Sequence, residues 1–143
     1  MDVIFIVEKI EFRIIEDKIV RDRLIIARIY DLLPTVQEAL QQVSSSVECL
    51  DFDTARSLFE NAIVAIKKIG ENLLLLNIDT GKRFLPLMKK LRLLISSVMM
   101  LWEKDRLIDG QTILNDYLIP CYAQWNKFVV KFLSSKRFRY LQN

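Results

Sequence analysis

Carboxylates are the main side chains here that could act as acids, bases or metal ligands. Asp105, Asp109 and Asp116, with Glu103 just before them, fall at spacings of four and seven. On a helix that spacing brings them toward one face, as a divalent cation or a general acid would need. A carboxylate-held metal pair in a bundle also takes a Glu-x-x-His from facing helices, and this sequence contains no histidine. The same absence removes Ser-His-Asp and Cys-His nucleophile pairs, imidazole bases and zinc sites with a His ligand. The acidic cluster therefore reads as a solvated helix face with an N-cap at Asp105. Cys49 and Cys121 are the two cysteines; neither has a second thiol nearby, so both read as helix-face thiols in a reducing compartment. Thr80-Gly81-Lys82 lacks the upstream glycine and the preceding strand of a phosphate loop and reads as a turn. No catalytic constellation, cofactor or metal site is expected.

What the chain does must then come from the surfaces its elements present. Its 143 residues include three glycines and three prolines, where average usage gives roughly ten and seven. A sheet protein needs turn residues every 8–12 residues or so, so an all-α fold follows. The pattern predicts a helix over residues 24–33, with residues 1–15 either helical or an extended arm, because Val3, Phe5 and Val7 alternate as a strand would. Pro34 suits the first turn of a second helix, to about Cys49, with fraying at Ser44-Ser45-Ser46. Asp51 and Asp53 offer N-caps. Phe52, Ala55, Phe59, Ala62, Ile66, Ile69, Leu73 and Leu76 then mark a long helix ending at Asn77, where Asn77-Ile78-Asp79-Thr80-Gly81 forms a turn. The next helix is expected to begin at Pro86, and the last, from about Leu107 to Phe132, to kink near Pro120. These pieces make one antiparallel four- to five-helix bundle domain over residues 1–133, followed by a basic flexible tail over residues 134–143.

Hydrophobic residues make up 52% of the chain and the mean hydropathy is +0.20, more than a bundle needs for one buried stripe per helix. The longest uncharged runs, residues 93–102 and 117–126, fall short of the roughly 18–20 that span a membrane. The first residues lack the basic start and cleavage site of a secretory signal, so a cytoplasmic protein is expected. The surplus is sought in Met88, Met99, Met100, Trp102, Tyr117, Tyr122 and Trp125, types that make adaptable contacts with another protein's helix. The same residues would alternatively form a core or a homodimer seam. Net charge is +3, with bases gathered at Lys82, Arg83, Lys89, Lys90 and Arg92 and again at Lys127, Lys131, Lys136, Arg137 and Arg139. That distribution suits either a nucleic-acid-contacting surface or a solubilising one.

Ile25-Ile26-Ala27-Arg28-Ile29-Tyr30-Asp31 resembles the leucine-isoleucine and leucine-tyrosine-aspartate segment of the flagellar secretion chaperones, which hold flagellin before export. The likeness continues through the acidic loop Asp51-Phe52-Asp53, Ala62-Ile63 and Ile66, the break at Glu103-Lys104-Asp105 and Trp125. It implies an all-helical bundle that holds a helix-prone tail of an exported protein in apolar grooves, with Tyr30 among the contacts. The leading expectation is thus a non-enzymatic helical adaptor or export chaperone whose partner is another protein. A self-associating structural bundle and a nucleic-acid-binding accessory protein are the alternatives.

Overall fold

Two tight reversals of the same kind set the layout. At the end of the first helix the Leu50 N–H donates to the Val47 carbonyl and the Asp51 N–H to that of Ser46. At the end of the third, Asp105 and Arg106 donate in the same way to Trp102 and Leu101. Each is a Schellman closure, and each puts a residue other than glycine in the left-handed region, Leu50 at φ 61° and Asp105 at φ 56°. In the computed structural model the chain is described over residues 3–76 and 81–135, with the backbone course alone at positions 5 and 81–84. Its elements are α1 (Val3–Glu48), α2 (Phe52–Leu75), α3 (Gly81–Glu103), α4 (Leu107–Ile113), a π-helical turn (Leu114–Leu118) and α5 (Ile119–Leu133). The last three run as one rod, so the fold is an all-α bundle of four rods, with no strand among the described residues.

Each rod buries residues at steps of three and four. Ile29, Leu33, Val36, Leu40, Val43 and Val47 do so on α1, and Ala55, Phe59, Ala62, Ile66, Ile69 and Leu73 on α2. Leu91, Ile95, Val98 and Trp102 come from α3, and Leu114, Leu118, Tyr122, Trp125, Val129 and Leu133 from the last rod; all join one core. α1 lies against α2 and α5, and α3 against α4, the π turn and α5. Asp51 caps α2 as expected, its side chain accepting the Thr54 N–H at 3.3 Å.

The sequence places several helix boundaries differently from the structure. The two helices expected on either side of Pro34 are one, because packing on both sides of the proline outweighs the roughly 3 kcal/mol that an interior proline costs. Leu33 and Val36 are buried while Pro34 itself faces solvent. The Thr35 hydroxyl donates to the Asp31 carbonyl at 2.9 Å. The serine run stays helical to Glu48, with the Ser45 hydroxyl donating to the Gln41 carbonyl. The segment that fits helix or strand is helix, continuous with the rest of α1. α3 begins at Gly81, not Pro86; a proline so near a helix start removes a single backbone bond. Near Pro120 the helix widens into the π turn, where the Ile119 N–H reaches back to the Leu114 carbonyl. The extra residue in that turn makes room for the proline ring. Asp105 is no N-cap: it occupies the left-handed turn position, and α4 starts after Arg106 without a side-chain cap. The turn at 77–80 and the tail residues 136–143 lie outside the described residues.

Candidate partner-binding groove

α2 and α3 lie beside one another without the extended contact that joins α1 to α2. Between them runs an open groove of about 570 Å³. Its walls are Ile63, Ile66, Leu73 and Leu74 from α2 and Leu85, Met88, Leu91, Ile95 and Met99 from α3, and Lys67, Glu71, Lys89 and Arg92 reach its rim. Beyond Ile63 and Met99 the walls meet where the Phe59 and Trp102 rings pack edge to face, 5.2 Å between centroids. Midway, Gly70 keeps the α2 wall low, so that the Met88 methyl lies 3.8 Å from where a Cβ would stand. Gly70 and Met88 thus face one another across the groove, with flexible thioether on one side and bare backbone on the other.

The expected contact residues divide. Met88 and Met99 line the groove, with Met99 40% exposed. Met100 and Tyr117 are exposed elsewhere on the bundle, 50% and 54% respectively. Tyr30 is half-buried on α1, its hydroxyl 3.4 Å from the Ser134 hydroxyl. Trp102, Tyr122 and Trp125 are corrections: they are core residues, and no partner reaches them while the bundle is closed. Trp102 packs on Phe59, and Tyr122 lies 5.7 Å from Trp125 ring to ring. Each finds enough apolar surface inside the bundle to be buried whole, which composition alone could not distinguish from a surface role.

Leu74, Leu85 and Ile63 complete the groove and were not expected there. The sequence does carry a signal for the two on α2: Ile63, Gly70 and Leu74 follow a second line along that helix, beside the stripe through Phe59, Ile66 and Leu73. The acidic residues do not assemble a site. Asp109 accepts from Arg106 Nε at 2.8 Å and pairs with its Nη2 at 2.7 Å. Among the described residues no three side chains of the metal-binding types converge. Burial pushes the Cys121 thiol pKa up, with the Lys90 charge offsetting part of the shift, and pushes that of the Tyr122 phenol well above its usual range. The described bases Lys89, Lys90, Arg92, Lys127 and Lys131 are exposed on α3 and α5. No helix among the described residues is long and apolar enough to cross a membrane.

A family model described as a domain of unknown function (DUF8042) matches residues 24–128. The matched span opens just before Ile25 and Ile26 enter the core and closes within α5, so it includes both walls of the groove. No curated protein and no solved structure matches the chain.

Proposed function

The chain belongs to the DUF8042 family, and from the shape of its bundle we propose that it is a non-catalytic binding module that receives an amphipathic helix of another protein between α2 and α3. The observation that carries this reading is the groove itself. It is apolar along its floor and walls, charged only at its rim, and bounded by two helices over residues 63–74 and 85–99. At 1.5 Å of rise per residue that is roughly 20 Å, about three to four helical turns. Helices bound in such grooves insert side chains at steps of three, four and seven, and Met88 and Met99 adapt to different side chains. The Ile25–Asp31 resemblance supports a narrower form, in which the helix is the tail of an exported or flagellar protein and the module acts as its chaperone in the cytoplasm.

A photo-cross-linking residue placed at Leu74, which is exposed at the rim of the α2 wall, tests the reading in the native cell. The expected product joins the chain to a partner peptide with a helical apolar repeat. It should be lost in Met99→Asp, whose circular dichroism and melting should match the parent. Undiminished cross-linking in Met99→Asp would overturn the groove. Recovery of partners that are never exported would remove the chaperone form alone.

A further inference from the structure

We infer that in the absence of a partner the groove holds the N-terminal end of α1 from a second copy of this chain, the two copies exchanging these ends about a two-fold axis. The inference rests on the groove being a receptor for a helix. α1 and α2 are joined by a tight reversal, so the 24 residues of α2 run back along about the last 24 of α1. The remaining 20 or so residues of α1 project beyond the bundle by roughly 30 Å. Along that stretch Val7, Ile10, Phe12, Ile14 and Ile15 are all about half exposed or more. An isolated helix of this length is marginal in water, and one with apolar residues on every side normally sits among other helices.

Among the described residues there is therefore one apolar helical end that its own bundle leaves uncovered and one open, helix-sized groove, the ratio that reciprocal exchange consumes. Its own end cannot serve, because α1 is unbroken from Val3 to Glu48 and runs on past the end of the shorter α2. The projecting end leaves the bundle level with Leu73 and Leu74, which lie at one end of the groove, so a two-fold axis across that end brings each projection to the other copy's groove. Charge agrees with this pairing. The rim carries Lys67, Lys89 and Arg92 against Glu71. On the projecting helix Val7, Glu8, Glu11, Ile14, Ile15 and Lys18 follow at helical steps, giving an apolar face that carries two acids against one base. The family match starts at residue 24, so the segment that would compete with a partner's helix lies outside the matched span. Such closed exchange is a common route to dimers.

Light scattering on the full chain after size exclusion, at up to about 100 µM, should give a dimer. Ile14→Glu on the projection and Leu74→Glu at the groove should each weaken it by at least roughly tenfold. The photo-cross-linker at Leu74, mixed with isotope-labelled chain, should attach to residues 3–20 of the labelled copy. A monomer across the range would overturn the inference. So would a dimer that Ile14→Glu dissolves and Leu74→Glu does not, since the projections would then be pairing with each other. Either result leaves cross-linking to a partner helix, and hence the groove itself, standing. Leu74 cross-links to neither would overturn both.

Discussion

The Tyr122 hydroxyl donates to the Leu33 carbonyl across 2.6 Å, joining α5 to α1 one residue before Pro34. The two lie 89 positions apart in sequence, and the phenol is 1% exposed. A buried hydroxyl must find an acceptor, and this one finds it in the α1 backbone beside Pro34.

Tyr122→Phe should therefore lower stability by about 1 kcal/mol, because the Leu33 carbonyl keeps its place in the helix while the interhelix bond is lost. The pH dependence separates this bond from simple packing. Burial raises the folded-state pKa of Tyr122; below about pH 10, the usual phenol value, both states hold the proton and the contribution is complete. Above it the unfolded chain loses the proton first, so stability falls as pH rises, by up to about 1.4 kcal/mol per unit, until the folded phenol also ionises. Urea denaturation at about pH 9 and about pH 11 should show this fall in the parent and a smaller one in Tyr122→Phe.

Two glycines should respond to alanine with opposite signs. At Gly110 the added methyl would fall within the indole of buried Trp102, so Gly110→Ala should cost about 1–3 kcal/mol through overpacking. At Gly70 the methyl would meet the Met88 methyl at an ordinary 3.8 Å. Gly70→Ala should gain up to about 1 kcal/mol from helix propensity alone. Paired thermal melts decide the matter, and equal shifts would mean that Trp102 moves freely.

Leu50 is 76% exposed and sits at φ 61°, so its side chain gains little from burial while its backbone bears the left-handed penalty. Leu50→Gly should stabilise the chain by about 1 kcal/mol. Asp105→Gly at the equivalent position should gain less, since aspartate tolerates that region better. Denaturant midpoints of the two variants give the comparison directly.

The core stripe of α2 was legible in the sequence because it is strictly periodic: Phe59 to Leu73 mark its face without tertiary information. The proline boundaries were not. Pro34 breaks an isolated helix, and only the burial of Leu33 and Val36 against other rods shows that this one continues. Trp102, Tyr122 and Trp125 are large and partly polar, types found both in cores and at interfaces, and their fate depended on neighbours such as Phe59 and Leu33 that lie far away in sequence. The methionines at 88 and 99 were recognised as adaptable surface. The groove beside them needed the spacing of two helices, which no single helix encodes.

The two thiols should react at different rates, which tests the packing of α5 independently of stability. Cys49 is free and exposed at the turn after α1, whereas Cys121 is free and buried. The thiolate is the reactive form, and burial both raises the Cys121 pKa and blocks approach. With iodoacetamide at about pH 8, alkylation should label Cys49 promptly and Cys121 at least about 100-fold more slowly. In urea both should react alike. Mass spectrometry of a time course reads the two sites separately, and comparable rates in the folded chain would show that the rod carrying Pro120 opens locally at the π turn.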